Sequence, residues 1–313
     1  MPDFNSSISE KDYIESLLDL MEEKELDISE SGLGPWSHSK IKTFSSCSLM
    51  FLLKNILRIN LTISEDDVSA KASLGMKYTG LATHLMIEKM LDGTSFADAL
   101  LLAETEYKSN CSEEQWNDIL LLEDRITYFV DRFHQGNKGK GLLGHTSEQK
   151  LAISIDQEHV EFTSDKVFYR GILDLTAKFD SGDTVIFDHK NGGSAEHGIR
   201  NYESQLKGQA LLLAASDSSV NRVLPFVHFI QEGSILNPNI SYSRERILEE
   251  FLTSIRSGLQ GSLEALKEDG RFKQKSQNLC KYCEFSVGCK SGKRGSGGIY
   301  KPIIDKSKMF FRG

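Results

Sequence analysis

Apolar residues recur at helical spacing through the first half of the chain and at strand spacing near its middle. Ile14, Leu17, Leu18 and Met21 share one face of a helix over 9–27, with acidic residues around the rest. Ser29 to Pro35 (SESGLGP) has linker chemistry. Ser39 is placed to cap a helix running to about Leu57. Further helices are expected over 70–91, ending at Asp92-Gly93, and over 95–109 and 112–135. Gly136 to Gly144 (GNKGKGLLG) reads as a flexible basic loop, and no Gly-Lys-Ser/Thr ends it as a phosphate-binding loop requires. Strands follow over about 148–155, 167–179 and 184–190, then a helix over 201–215, a strand over 221–231 and a long helix over 243–268. The pattern predicts an α/β fold. No apolar run approaches the length of a membrane helix, and Met1-Pro-Asp-Phe-Asn lacks the regions of a signal peptide, so a soluble, intracellular protein is expected.

Two of these strands carry chemistry at their ends. Gly171-Ile-Leu-Asp174 and Val185-Ile-Phe-Asp188-His189-Lys190 are apolar runs, and Asp180-Ser-Gly-Asp183 between them has turn chemistry. A hairpin here brings Asp174 close to Asp188 and Lys190. Two carboxylates at one strand edge make a hard oxygen site for Mg²⁺ or Mn²⁺. A lysine beside them orients a water and offsets charge on a phosphate. Asp-x-Lys at a strand end is also a common solvated pattern. Yet the run Val185, Ile186, Phe187 is buried in character, so its polar end needs a reason.

Charge sharpens the picture through its distribution. Of the 313 residues 39% are hydrophobic, enough for one large core or two modest ones. The net charge of −8 argues against a nucleic-acid partner until it is divided. Residues 1–30 hold ten acidic against two basic side chains, and residues 267–313 hold twelve Lys and Arg against four acidic ones. The acidic N-terminal helix is a candidate docking segment for a protein partner. The basic end has the character to follow a phosphate backbone, or to be a solvated tail.

The five cysteines are unevenly placed. Cys280, Cys283 and Cys289 form a C-x2-C-x5-C cluster, Cys47 stands far upstream, and Cys111 lies in a polar stretch as a bystander. Close cysteines in a chain with no secretion signal read first as metal ligands. Three clustered thiolates need a fourth partner, and Cys47 is the best candidate. An iron–sulfur cluster and a four-thiolate zinc are both compatible with this spacing.

In this order the pieces resemble the PD-(D/E)XK nuclease superfamily, in its RecB-like branch with an iron–sulfur cluster. That branch includes the nuclease domain of AddB and the CRISPR adaptation exonucleases; phage recombination exonucleases are similar in the core. The matching pieces are Gly80-Leu-Ala-Thr-His84, a glutamate opening a strand at Glu148, Gly171-Ile-Leu-Asp174, Asp188-His189-Lys190 and Gln205-Leu-Lys-Gly-Gln209. They are flanked by Cys47 before and three cysteines after, so the resemblance spans roughly residues 37–291. Gln209 stands where the helix motif has tyrosine, and Ser48 where a proline often follows a cluster cysteine.

The resemblance implies a restriction-endonuclease-like mixed β-sheet core flanked by helices. Together with the helical and charge patterning it divides the chain into an acidic N-terminal helix and linker (1–36), a helical cap segment with the first cluster cysteine (37–145), a nuclease core (146–268) and a basic cysteine-cluster segment (269–313). It implies Asp174 and Asp188 as ligands of Mg²⁺ or Mn²⁺, joined by the His189 carbonyl and the His84 imidazole. Lys190 would hold the attacking water, Glu148 would orient a ligand or water, and Gln205 would contact the substrate backbone or brace the site. Cys47, Cys280, Cys283 and Cys289 would hold a [4Fe–4S] cluster that ties the two ends of the chain together. The implied activity is a metal-dependent DNA exonuclease for single strands or ends, in DNA repair, recombination or replication, in the cytoplasm of a prokaryotic or phage-infected cell. A structure-dependent endonuclease on flapped or branched DNA is the rival enzyme. A non-catalytic DNA-binding recombination accessory protein is the rival of another class, opposed by the intact Asp174, Asp188 and Lys190.

Overall fold

The computed structural model of the chain describes residues 35–56, 60–62, 68–192, 195–250, 283 and 301–303. The helix expected over 9–27, the later part of the helix expected over 243–268, Cys280 and Cys289 lie outside the described residues. The chain divides into two compact units, Met1–Lys71 with Ser257–Gly313, and Ala72–Arg256.

In the first unit the expected single helix is broken. Ser37, rather than Ser39, accepts the Lys40 N–H and caps α1 (His38–Ser46). The backbone is extended at Cys47 (φ −159°, ψ 105°) and turns again as α2 (Ser48–Phe51), followed by a π-helical turn at Leu52–Ile56. Ser46 and Ser48 flank the break, and serine hydroxyls compete for backbone partners and weaken a helix interior. Trp36, Phe44 and Phe51 pack across it, with ring centroids 5.0–5.7 Å apart. A short strand β1 (Asn60–Thr62) pairs antiparallel with β8 (Lys301–Ile303).

The second unit is a sheet between helices. Four helices come first: α3 (Val68–Leu91), α4 (Phe96–Tyr107), α5 (Glu113–Leu120) and α6 (Glu123–Asn137). Ser95 caps α4, and Ser112 with Gln115 forms a capping box on α5. The helix expected over 112–135 is two helices, because the chain turns at Leu121-Leu122. The strands are β2 (Leu142–Ile153), β3 (Tyr169–Phe179), β4 (Asp183–Lys190), β5 (Arg222–Phe229), β6 (Ser234–Leu236) and β7 (Tyr242–Ser243), with α7 (Ala195–Ser216) between β4 and β5. The order is β2-β3-β4-β5-β6, with β7 also on β5. All pairs are antiparallel except β4–β5, whose parallel pairing needs α7 as its crossover.

Each face of the sheet has its own core. Met86, Ile87, Trp116, Ile126 and Phe129 from α3, α5 and α6 pack with Leu175 and Ala177 of β3. Leu206 of α7 packs with Val227 and Phe229 of β5. Strand β4 divides its residues between them: Val185 and Phe187 join the first core, while Asp188 meets α7. No helix among the described residues is long and apolar enough to cross a membrane.

The sheet opens where the two expected strands carry their polar ends. The β3–β4 ladder runs from Lys178↔Thr184 to Leu175↔Phe187 and stops. Strand β4 nevertheless stays paired with β5 through to Lys190↔Phe229.

Candidate active site

Asp174 and Asp188 are the next positions beyond the last β3–β4 rung. Asp174 accepts the His189 N–H at 2.7 Å through Oδ2, so one side-chain bond replaces the ladder there. On its other side it faces α3, where His84 Nδ1 lies 3.9 Å from Asp174 Oδ1 and 3.6 Å from Glu148 Oε1. One ligand atom from each of His84, Glu148 and Asp174 lies within 4.8 Å of the others.

Glu148 does not open its strand as expected. Strand β2 starts at Leu142, because the end of the expected loop pairs with the far end of β3. Glu148 sits mid-strand with φ +48°, in the left-handed region that glutamate seldom enters. Its neighbours stay in register, Ser147 with Leu175 and Gln149 with Leu173, so the distortion is confined to the residue that faces His84.

Burial pushes the Asp174 carboxyl up to about 7, and the Asp188 charge adds to this against the opposing pull of His84 and Lys190. For His84, burial works downward, but the Glu148 and Asp174 carboxylates outweigh it and raise the imidazole above its ordinary range. These groups form a site short of positive charge. One imidazole and two carboxylates are a donor set suited to Mg²⁺ or Mn²⁺, with the nitrogen leaning toward Mn²⁺.

Asp188 is held differently. It is fully buried, with Lys190 Nζ 2.6 Å from Oδ2. Gln205 Nε2 donates to Oδ1 at 2.7 Å and Gln209 Nε2 donates to the same oxygen at 3.2 Å. Gln205 therefore braces Asp188 from α7. So does Gln209, one turn later, whose role was not apparent from its sequence because a tyrosine was the expected residue.

His189 is turned away from this face. Its Nδ1 lies 3.0 Å from the His228 Nδ1 on β5, directly across the parallel ladder. One ring must donate and the other accept, which suits two neutral imidazoles. Burial holds His189 well below its ordinary range and His228 down to about 4. Phe129 of α6 stacks on His228 with centroids 4.2 Å apart. The His189 side chain is thus committed to the core, and only its backbone reaches Asp174. His228 escaped the sequence reading; its signal was a lone histidine inside the apolar run Val223–Phe229.

Among the described residues no cysteine cluster is evident. Cys283 Sγ lies 3.8 Å from Met50 Sδ, three residues along from Cys47. Neither Cys47 nor Cys283 is in a disulfide. Cys111 packs beside the helical core of the other unit, and burial pushes its thiol up.

No curated protein matches the chain. A solved structure, that of SSO0001, is similar at 14% identity over 62% of this chain and 81% of that one, with a TM-score of 0.28. The model of the PD-(D/E)XK nuclease superfamily matches residues 35–290, which include both aspartates, Lys190, Glu148 and His84. A six-stranded mixed sheet between helices is the fold of that superfamily, and a metal-dependent nuclease with DNA as substrate is what it implies. With its acidic residues gathered where two strands of that sheet part, the chain belongs to the PD-(D/E)XK nuclease superfamily.

Proposed function

We propose that the chain is a DNA exonuclease that uses Mg²⁺ or Mn²⁺ and acts on single strands or DNA ends, in repair, recombination or replication. The observation that carries this reading is the convergence of His84, Glu148, Asp174, Asp188 and Lys190 at the open end of β3 and β4. His84, Glu148 and Asp174 would hold the cation, with Asp188 and the His189 carbonyl as further oxygen donors. Bound there, the ion supplies positive charge to a phosphate oxygen and makes water a better nucleophile. Lys190 holds the attacking water against the phosphorus. The water oxygen forms the new bond to phosphorus and gives up a proton to solvent, as the bond to the leaving oxygen breaks and that oxygen takes up a proton from solvent. Gln205 and Gln209 fix the plane of the Asp188 carboxylate and so the place of Lys190.

End-labelled single and double strands and a closed single-stranded circle, incubated with either metal, test the reading. Stepwise release from the linear strands with an intact circle is expected. Cutting of the circle would point to the structure-dependent endonuclease. Binding without any cleavage would point to the accessory DNA-binding role.

We also propose that Cys47, Cys280, Cys283 and Cys289 hold a [4Fe–4S] cluster. The support is chemical and local. Cys47 lies in an extended break between two helices, and Cys283, distant in sequence, sits beside the turn that follows it. Protein prepared without oxygen should be brown and contain iron and sulfide, and Cys283→Ser should lower stability more than turnover per folded molecule. Colourless protein with one zinc per chain would overturn the cluster while leaving the nuclease reading intact.

A further inference from the structure

Tyr202 completes the face of α7 that meets the end of β4. Tyr202, Gln205 and Gln209 are spaced i, i+3 and i+7, which places them on one side of the helix. The two glutamines reach Asp188, whereas the tyrosine reaches Lys190. The Lys190 Nζ lies 5.1 Å from the centroid of the Tyr202 ring, within the range where a cation is drawn to an aromatic face. The ring is itself anchored. It packs edge-on against Phe229, with centroids 6.0 Å apart at 66°, and against the buried cluster of Leu206 and Val227. Phe229 is the ladder partner of Lys190 on β5. Helix and strand therefore fix the same ring beside the same ammonium group.

We propose that Tyr202 is the positioning residue for Lys190, and that its aromatic face rather than its hydroxyl does this. The inference rests on reading Lys190 as the group that holds the attacking water. A lysine head is a point charge on a flexible four-carbon stem, so a single contact leaves its position loose. Its ion-pair partner, Asp188, already accepts two glutamine amides and is a proposed cation ligand. A lysine held by that carboxylate alone shifts whenever the carboxylate shares its charge. The ring is a second anchor of a different kind. It attracts the ammonium through its quadrupole, carries no net charge, and does not compete for a metal.

The test is a series at one position. Tyr202→Phe keeps the ring and should keep kcat within about twofold, whereas Tyr202→Leu should lower kcat about 3- to 30-fold. KM for DNA should not change in either, because the ring is not proposed to touch substrate. Tyr202→Met, the second aliphatic variant, should repeat the loss and covers the case in which the leucine protein folds poorly. An independent readout needs neither metal nor DNA. In protein labelled with ¹³C-lysine, the ε-methylene resonance of Lys190, assigned through Lys190→Arg, should be displaced by the ring current. It should stay displaced in the phenylalanine variant and move to the ordinary lysine position in the aliphatic ones. Equal loss of kcat in the phenylalanine and leucine variants would overturn the proposal. So would a Lys190 resonance that the aliphatic variants leave in place. Normal cleavage by Lys190→Gln would instead defeat the reading of the site itself, and the resonance would still report on Tyr202.

Discussion

Asp174 and Asp188 occupy neighbouring strands just past the last rung that joins them, and they are neutralised in opposite ways. Asp188 is buried against a lysine and two glutamine amides from the α7 side. Asp174 has one backbone N–H and a histidine 3.9 Å away, on the side of α3 and β2. Burial leaves its carboxyl at about 7. The fold thus gives one carboxylate an ammonium and two amide donors, and on the other side leaves two carboxylates to share one imidazole. The undersupplied side is where Glu148 and His84 also converge, and there a cation would bring the missing charge.

The largest effect expected is on turnover when either carboxylate is removed. Asp174→Asn and Asp188→Asn should each lower cleavage by on the order of 10³-fold or more while DNA binding, read by fluorescence anisotropy, is kept. Calorimetric titration with Mn²⁺ should separate them, with Asp174→Asn losing more metal affinity. Equal losses would erase the proposed asymmetry. Lys190→Gln should lower turnover roughly 10²-fold or more at unchanged metal affinity.

A smaller effect should follow from loosening Asp188. Gln209→Leu should lower turnover about tenfold and destabilise the fold by about 0.5–1.5 kcal/mol, since Asp188 Oδ1 loses the longer of its two amide donors and keeps Gln205. A melting curve and a rate at saturating metal would check both figures. His84→Ala should narrow any advantage of Mn²⁺ over Mg²⁺, measured as the ratio of rates with the two ions.

The slightest effect concerns pH without metal. An unfolded aspartate titrates at ~3.9, and burial pushes native Asp174 up to about 7. The native state therefore holds this proton to higher pH. The stability it contributes is present below the ordinary carboxylate range and is lost as pH rises through about 7. In chelator the melting temperature should fall between pH 5 and pH 8 more steeply for the native protein than for Asp174→Asn. Mn²⁺ should recover the native protein at pH 8 by binding the folded state.

The hairpin and the place of its polar ends were legible because both strands are dense apolar runs that flank a turn of four small or polar residues. β3 and β4 lie within two residues of the expected spans. The break at Cys47 was not legible, since Phe44, Leu49 and Phe51 keep an apolar pattern straight through it. The early start of β2 was hidden because Leu142 to Lys150 gain strand geometry from pairing with β3 rather than from their own β propensity. Strands β6 and β7, three and two residues long, are too short to show a period. In the site, Asp174, Asp188 and Lys190 carried spacing signals, and Gln205 entered through the resemblance of its helix motif. Gln209, where that motif has tyrosine, and His228 did not announce their contacts, since their partners lie far away in the chain.

The left-handed backbone at Glu148 separates two preferences that most positions combine. Glycine, asparagine and aspartate enter that region with the least strain, and none of them presents a carboxylate at the reach of glutamate. The residue best suited to the chain there differs from the one the proposed site needs. A saturation library at position 148 sorted for folding would favour asparagine or glycine, and the same library sorted for cleavage would favour glutamate. A lineage released from the need to cut DNA would lose this residue early, while Leu173 and Leu175 across the ladder, which serve the core alone, would persist.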